Sequence, residues 1–438
     1  MNSAAADPDQ TWLIDAVLCL SLCGIVILLF FPGLMTNDSI LQLAQAQSHI
    51  YEDAHPPLMS FLWQGFNHFY FGPAGMLVFH TTMFFLGLFL LVTAQPWPVY
   101  FRVSVILLVT GWPAIFTQLG VIWKDVGLSA SFLLGCGLLA NRRRYPIVAM
   151  AAVGLFFYGI GIRHNAWPAA LPLLYIVVWN WTAPPKQGIK TIGAACVLCG
   201  FLLGLQGMIT SHLVSQRAHF GQAVLLHDLT AISAWTGASV VPAQFLRPGK
   251  GIHDLENAYR PGNADPLRPV LLFSRDERSL SFLEKTWFAQ ILRHPDIYLK
   301  HRWMGFKRLV GLSHEEVHYP FESTTWPNPW NFRYEPDAFM KTIFQVIGRW
   351  QNTFCFRGWF YLAVNAAALL VAGVRCGNRF SFCVSLSGLM YGSGYAVYGV
   401  GLDFRYFYWT VLSGFVAWIL LFNPDENARR IRTSPPKV

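Results

Sequence analysis

The sequence has little charge: Asp, Glu, Lys and Arg make up 13% of its 438 residues, while 54% are hydrophobic. Soluble domains carry about 25% charged residues. This shortage excludes a freely soluble globular protein and indicates a chain whose solvent is largely lipid. The formal charge of +9 does not predict nucleic-acid binding, because the basic residues stand in short segments between apolar runs instead of forming one stripe.

The sequence also lacks a basic N-terminal flank and a set of cysteines in its large polar segment. No Lys or Arg precedes the first apolar run, whose flank carries Asp7 and Asp9. A secretory signal begins with a positively charged region, so we expect this run to be a retained anchor. Of the eight cysteines, only Cys355 lies in the large polar segment, which excludes a disulfide framework there.

Ten apolar runs approach the length of about 20 residues that a helix needs to cross a bilayer. We therefore predict an all-α polytopic membrane protein with about ten transmembrane helices, amphipathic juxtamembrane helices and one external domain of helices and loops. The predicted spans are residues 12–32, 75–93, 99–118, 121–140, 146–162, 167–181, 189–211, 357–374, 380–400 and 407–422.

Basic residues in short loops stay on the cytoplasmic side of a membrane. If the N-terminus is inside, the basic groups at 142–144, 186–190, 375–379 and 429–437, together with Arg102, all fall inside. This pattern predicts a multi-pass protein of the plasma (inner) membrane with both termini in the cytoplasm.

The spans divide the chain into three predicted parts. Residues 1–211 form an N-terminal transmembrane domain, whose first external loop, 33–74, carries the candidate catalytic acids. Residues 212–356 form an external domain, since 16 of the 32 basic and 13 of the 23 acidic residues lie there. Within it, 281–310 is predicted to be one helix. Residues 357–438 supply the last helices and a cytoplasmic tail.

The first external loop contains acids suited to proton transfer. Asn37, Asp38 or Ser39 can cap a helix, with Ile40, Leu43, Ala44 and Gln47 as its membrane-facing side. The helix dipole would keep Asp38 ionised, so that it could act as a base. Taken alone, Asp38 is better explained as a simple cap. The same loop adds Glu52, Asp53 and His55, before two prolines that also suit a rigid turn.

Three cations break the positive-inside pattern and stand on the predicted outer side: Lys124, Arg163 and Arg405. Each has polar neighbours at a helix end, and each alone is explained by a local ion pair. Together they predict a site for a phosphate-bearing ligand. The accompanying candidates are Asp125, His164, Asp403 and Tyr406.

One motif points to another chemistry. Residues 314–318 read H-E-x-x-H, a zinc-binding pattern in which His314 and His318 ligate the metal and Glu315 acts as base. Glu322 and Glu335 are candidate third ligands. Glycine and proline flank the motif, however, and leave a short helix at best, which favours a chance match. A zinc metalloprotease is therefore the weaker alternative.

The order of these motifs resembles the GT-C membrane glycosyltransferases, which include protein O-mannosyltransferases and the aminoarabinose transferases of lipid A. The resemblance rests on the N-D-S context of Asp38, the acid followed by H-P-P-L at His55, and the polar helix ends near Lys124, Arg163 and Arg405. It covers the first 180 residues best and the last 40 weakly. Many members have an Asp-Glu pair where this chain has Asp38 and Ser39.

The resemblance implies a sugar transferred from a polyprenyl-phosphate donor to a lipid, glycan or protein acceptor on the outer face, with membrane lipids as further partners. It implies that Asp38 is the base and that Asp53 or Glu52 is the second acid. Lys124, Arg163 and Arg405, with His164 and Tyr406, would hold the donor phosphate. The cofactor is left open, and a divalent cation is one alternative to a cationic clamp. The remaining alternative is a lipid or glycan transporter, which would place polar groups near the bilayer midplane.

We predict that a cysteine introduced at Arg143 faces the cytoplasm. A membrane-impermeant maleimide added to intact cells should therefore leave Arg143→Cys unlabelled and should label it after permeabilisation. A cysteine at Lys250 is the matched control and should be labelled in both cases. Labelling of Arg143→Cys in intact cells would reverse the orientation.

Overall fold

The computed structural model describes residues 11–141, 145–182, 188–313, 319–376 and 378–422. These residues are mostly helical, as the composition predicts. The eighteen α-helices are α1 Thr11–Phe30, α2 Asn37–Ser48, α3 Leu58–Asn67, α4 Ala74–Thr93, α5 Val99–Gly111, α6 Pro113–Leu119, α7 Lys124–Ala140, α8 Pro146–Ile162, α9 Trp167–Thr182, α10 Gly188–Leu213, α11 Gln222–Thr236, α12 Ile252–Ala258, α13 Glu277–Arg293, α14 Pro295–Leu309, α15 Ala338–Gly348, α16 Gly358–Val371, α17 Arg379–Tyr398 and α18 Tyr408–Leu421.

Two short strands interrupt the all-α prediction. β1 (Tyr51–Glu52) pairs in parallel with β2 (Val214–Gln216). Segments this short carry no periodicity that a sequence pattern can reveal. The pairing joins the first external loop to the start of the long polar segment.

Among the described residues, four helical segments are long and apolar enough to cross a membrane, and a bent pair makes a fifth. The four are Thr11–Phe30, Ala74–Thr93, Gly188–Leu213 and Phe404–Leu421. The predicted span 99–118 is this bent pair: α5 and α6 meet at 67°, where Pro113 ends the regular hydrogen bonding of α5. The other predicted spans fall on α7, α8, α9, α16 and α17, which are shorter or less apolar.

Close backbone packing holds the helices together. A Cβ atom at Gly87 of α4 would lie 2.7 Å from the backbone nitrogen of Leu134 in α7, and one at Gly137 would lie 2.6 Å from the Gly87 carbonyl oxygen. Only glycine allows this approach, a common solution where helices pack in lipid. The contact fixes α7, and with it Lys124 at its first residue.

A buried ion pair joins two helices of this body. Arg102 Nε donates to Asp15 Oδ2 at 2.7 Å, and both side chains are buried. Arg102 was predicted in an inner loop, but it lies within α5. The pair therefore ties α1 to α5, since neither charge is stable alone in an apolar environment.

The predicted helix 281–310 is two helices, α13 and α14, which separate at His294. Pro295 cannot continue the helix that precedes it, because its ring and missing N–H break the hydrogen-bond ladder. It instead takes the first position of α14. The bend brings Trp287 of α13 and Arg302 of α14 to the same partner.

That partner is Asp228 of α11, which is buried. Arg302 Nη2 donates to Asp228 Oδ2 at 2.7 Å, Trp287 Nε1 donates to the same oxygen at 2.8 Å, and His301 Nε2 lies 3.3 Å from Oδ1. Arg302 Nη1 also donates to the Gly399 carbonyl at 3.1 Å. The cluster connects the long polar segment to the loop that leads to Arg405.

The apolar core has two parts. The smaller part belongs to the polar segment and includes Leu226, Phe245, Leu255 and Leu283. The larger part fills the helical body and also takes in side chains from Leu309 onward. The predicted external domain 212–356 therefore has a core of its own in its first half, while its second half packs on the helical body.

We predict that Arg302→Ala destabilises the protein by about 3–5 kcal/mol, because it leaves the Asp228 carboxylate buried without its cation. Thermal unfolding of the detergent-solubilised protein, followed by circular dichroism, measures this. Arg268→Ala is the matched control, since its Asp265 pair is exposed, and it should change Tm little. Equal Tm shifts for the two variants would contradict the prediction.

Candidate active site

Four separate chain segments meet around Asp38. Asp38 lies in the first turn of α2, Lys124 begins α7, Arg163 ends α8, and Arg405 lies in the short turn that precedes α18. All four residues are candidates from the sequence, and the structure brings them together. The site is thus made of helix ends, where backbone N–H and C=O groups are unpaired and polar side chains are favoured.

Thr36 is the residue that caps α2, not Asn37, Asp38 or Ser39. The Thr36 backbone N–H donates to Ser39 Oγ at 3.4 Å, and Ser39 Oγ donates to the Ile122 carbonyl at 2.6 Å. Asp38 is therefore free of capping and has its carboxylate available to other partners. The simple-cap interpretation of Asp38 is wrong.

The orientation predicted for α2 is also wrong. Its buried side is Ser39, Gln42, Leu43 and Ala46, while Gln47 is exposed. The helix packs into the protein because Ser39 and Gln42 turn inward along with Leu43. At 100° of rotation per residue, the predicted side lies about 100° around the helix from the buried one.

Backbone pairing joins the start of this loop to the turn before α7. Leu34 N donates to the Gly120 carbonyl at 2.9 Å, and Ile122 N donates to the Leu34 carbonyl at 2.9 Å. Trp123 Nε1 adds a bond to Thr36 Oγ1 at 2.8 Å. These bonds fix the position of Asp38 relative to Lys124.

Arg405 is the main partner of Asp38. Its Nη2 lies 2.9 Å from Asp38 Oδ2 and 3.1 Å from Asp403 Oδ2. The guanidinium also lies over the Trp123 ring, 4.6 Å from its centroid. Its Nη1 is buried and has no hydrogen-bond partner among the described residues. A buried unpaired donor is costly, which makes Nη1 a position where a ligand oxygen would be stabilised.

His55 lies between Asp38 and Lys124. Lys124 Nζ contacts His55 Nδ1, and His55 Nε2 lies 3.7 Å from Asp38 Oδ1. An ammonium group only donates, so Nδ1 accepts and Nε2 carries the hydrogen. Lys124 is thus paired with a neutral group and keeps its charge available for an anion.

Arg163 is more fully engaged. Its Nη1 donates to Asp125 Oδ2 at 2.8 Å, and its Nη2 donates to the Tyr395 hydroxyl at 2.6 Å. Tyr406 stacks on Tyr395 with ring centroids 5.0 Å apart, and the Arg163 guanidinium lies 5.1 Å from the Tyr406 centroid. Arg163 and Asp125 therefore form a buried support for the site more than an open ligand position.

The cations set the protonation of the external-loop groups. Burial raises the pKa of Asp38, but the charges of Arg405 and then Lys124 outweigh it and hold that pKa well below its ordinary value. Burial, followed by the charge of Lys124, lowers the pKa of His55 to about 3. At neutral pH the site therefore holds an ionised Asp38 beside a neutral His55.

The other two acids of the loop have different partners. Asp53 Oδ1 accepts bonds from the backbone N–H groups of Ala218 and His219. Glu52 lies 3.6 Å from Arg275, in the long polar segment. His164 Nε2 lies 3.2 Å from the Asp53 carbonyl oxygen. Within the part of the chain that the structure describes, neither carboxylate pairs with the Asp38 group; both brace the loop against the segment after α10.

Glu322 is an acid that the sequence pointed to only as a zinc ligand. Burial raises its pKa, and it interacts electrostatically with Arg405 and Asp403. Its carboxylate therefore belongs to the same site. No spacing in the sequence signals this, because Glu322 follows Lys124 by 198 positions in the chain.

The candidate metal ligands His314 and His318 lie outside the described residues. Within the described ranges, no group of three or more His, Cys, Asp or Glu side chains is arranged to hold a metal ion. Three cations and three carboxylates, Asp38, Asp125 and Asp403, make the charged group itself.

No family model, curated protein or solved structure matches this chain. Its function must therefore be argued from the chemistry of this site. Among the described residues, the arrangement holds a fixed carboxylate, the Lys124 ammonium beside a neutral His55, unpartnered donors on Arg405 Nη1 and Arg163 Nε, and tyrosines beside Arg163. Such a site can bind an oxyanion beside a carboxylate.

We predict that His55 makes stability depend on pH. Its pKa is about 6.5 when unfolded and about 3 when folded, so between these values the unfolded state binds a proton that the folded state does not. Stability should be lost as pH falls from about 6.5 toward 4, by up to about 1.4 kcal/mol per pH unit from this group. His55→Gln should reduce the slope of Tm against pH in this range. An unchanged slope would contradict the prediction.

Proposed function

We propose that this protein is a GT-C-type membrane glycosyltransferase, which moves a sugar from a polyprenyl-phosphate donor to an acceptor on the extracytoplasmic face of the plasma membrane. The observation that carries the proposal is the contact of Asp38 with Arg405, with Lys124 and His55 alongside. A carboxylate and two cations at one position suit transfer from a phosphate leaving group.

Lys124 and Arg405 hold the donor phosphate in this proposal. Among the described residues, Lys124 Nζ contacts the neutral His55 and acts on Asp38 only through its charge, and Arg405 has the unpartnered Nη1. Arg163 acts indirectly, because Asp125 and Tyr395 occupy both of its terminal amino groups and leave only Nε without a partner among the described residues. This assignment narrows the three cationic clamps expected from the sequence to two.

Asp38 is too weak a base as long as Arg405 holds it, since a strongly lowered pKa reduces proton affinity. Binding of the sugar donor changes the charge around Asp38. The donor phosphate, a diester with one negative charge, draws Arg405 and Lys124 away from the carboxylate and raises the pKa of Asp38. Abstraction of the acceptor's proton by Asp38 therefore becomes favourable only when the sugar donor is bound.

The reaction follows from this arrangement. The acceptor hydroxyl oxygen attacks the anomeric carbon of the donor sugar, and the bond from that carbon to the phosphate oxygen breaks. The hydroxyl proton passes to Asp38, and the polyprenyl phosphate leaves with its charge held by Lys124 and Arg405. His55, whose Nε2–H faces Asp38, orients the carboxylate.

An apolar cavity supports a lipid-linked donor. It has a volume of about 520 Å³ and lies between α8, α9 and α10, with Val153, Phe157 and Leu198 in its lining. Phe157 precedes Arg163 by six residues, or about 9 Å of helix rise. A lipid chain in this cavity would extend toward the site from the hydrophobic region of the bilayer.

The membrane arrangement that goes with this proposal has the ten spans and cytoplasmic termini expected from the sequence. It puts the site, β1 and β2 on the outer face, above α4, α7 and α8. Lys124, Arg163 and Arg405 then stand on the side that short basic loops avoid, because each has a role with a carboxylate or a phosphate.

We predict that Asp38→Asn reduces sugar transfer at least about 1,000-fold, because the acceptor loses its base and the ion pair with Arg405 is removed. Full-length variants should be expressed in a deletion strain of the native host, and the envelope glycans measured by mass spectrometry. The variant should restore no glycan, although its amount in the membrane equals that of wild type.

Asp53→Asn is the matched control, since it makes the same substitution in the same loop. Its amide oxygen can still accept bonds from the backbone of residues 218–219, so glycan synthesis should be retained. Restoration of the glycan by Asp38→Asn, or an unaltered glycan profile in the deletion strain itself, would contradict the proposed function.

A further inference from the structure

The segment 319–336, here called the strap, lies across the first external loop. Met35 N donates to Thr325 Oγ1 at 3.3 Å, and Trp326 N donates to the Met35 carbonyl at 2.9 Å. At its far end Trp330 Nε1 donates to Gln47 Oε1 at 2.6 Å. The strap is thus attached on both sides of Asp38, which lies three residues after Met35.

The strap is also internally rigid. Asn328 Nδ2 donates to the carbonyls of Trp326 and Phe332, and Asn328 Oδ1 accepts from Phe332 N at 3.0 Å. Gln118 Nε2 donates to the Pro320 carbonyl at 3.2 Å. These bonds fix a segment that is otherwise without helix or strand.

A tryptophan and a carboxylate stand side by side on this rigid segment. The Trp326 side chain is 42% exposed, although its backbone is pinned beside Met35. Its Nε1 donates to Glu322 Oε2 at 3.2 Å, which orients the indole ring. Among the described residues, no donor is paired with Glu322 Oε1. The strap therefore presents an aromatic face and a free carboxylate oxygen.

We infer that the strap is the acceptor-binding surface of the transferase, and that the acceptor is an uncharged, hydroxyl-rich glycan. The inference rests on the proposed function. The flat apolar face of a sugar ring packs on the Trp326 indole, while a sugar hydroxyl donates to Glu322 Oε1. The next hydroxyl along the chain then reaches Asp38.

Charge selects the class of acceptor. Glu322 gives the strap a carboxylate beside Trp326, so an anionic polysaccharide would be repelled there. The phosphate-binding donors, Lys124 and Arg405, serve the other substrate. In this inference the Trp326 ring and the Glu322 carboxylate hold the acceptor, while Lys124 and Arg405 hold the donor phosphate.

The experiment measures saccharide binding without any donor, so its outcome is separate from that of the transfer assay. Full-length protein in nanodiscs is titrated by calorimetry with maltohexaose, cellohexaose and mannohexaose, and with an oligogalacturonide as the anionic comparison. At least one neutral hexasaccharide should bind, and the oligogalacturonide should not. Failure of all three neutral probes at millimolar concentration would overturn the inference.

Substitutions then locate the binding. Trp326→Ala should weaken binding of the neutral hexasaccharide at least about tenfold, Trp326→Phe should weaken it less, and Glu322→Gln should weaken it as well. Trp350→Ala is the matched control, because Trp350 is similarly exposed at 47% but lies outside the strap, and it should bind like wild type. Tm values confirm that each variant is folded.

Two results would overturn the inference and leave the proposed function standing. One is unchanged hexasaccharide binding by Trp326→Ala. The other is quenching of Trp326 fluorescence by brominated phospholipid, seen as less quenching in Trp326→Phe than in wild type, which would assign the indole to the bilayer. The opposite pattern, saccharide binding without any glycan product in the cell, would count against the proposed function alone.

Discussion

The ion pair between Arg405 and Asp38, 2.9 Å apart, is the contact on which the candidate site depends. It joins the first external loop to the turn before the last helix, 367 residues later in the chain. Neither charge would be stable alone at this degree of burial. The pair therefore fixes how the N-terminal and C-terminal helices meet. It also puts a carboxylate beside a guanidinium whose Nη1 has no hydrogen-bond partner among the described residues.

The rest of the structure supports that pair from two directions. The backbone pairing of Leu34 with the turn at Gly120 fixes the start of the loop that carries Asp38. The packing of α4 on α7 at Gly87 positions that turn. From the other side, Arg302 holds the Gly399 carbonyl through its bond with Asp228. The long polar segment is thus a structural part of the site, because it restrains the loop that carries Arg405.

The sequence was enough to predict a mostly helical protein and the group of Asp38, Lys124, Arg163 and Arg405, since apolar runs and misplaced basic residues have clear physical causes. It was not enough to predict partners. Thr36 as a cap and Pro295 as the cause of the bend at His294 were readable from the sequence, but the β1–β2 pairing depends on residues far away in the chain. For the same reason Asp53 was expected in the site, although its carboxylate binds the backbone of residues 218–219.

The charges of the site limit what it can bind. Three cations face Asp38, Asp125 and Asp403, so this inner group is formally neutral and tolerates burial better than an excess of either sign would, while Glu322 adds a carboxylate at its edge. An anionic ligand must therefore displace an existing pair or use a donor that is not in one. Lys124, paired with a neutral His55, and Nη1 of Arg405 are such donors. An anion bound there would draw the charges of Lys124 and Arg405 away from Asp38. It would thereby raise the pKa of Asp38 and make the carboxylate a stronger base.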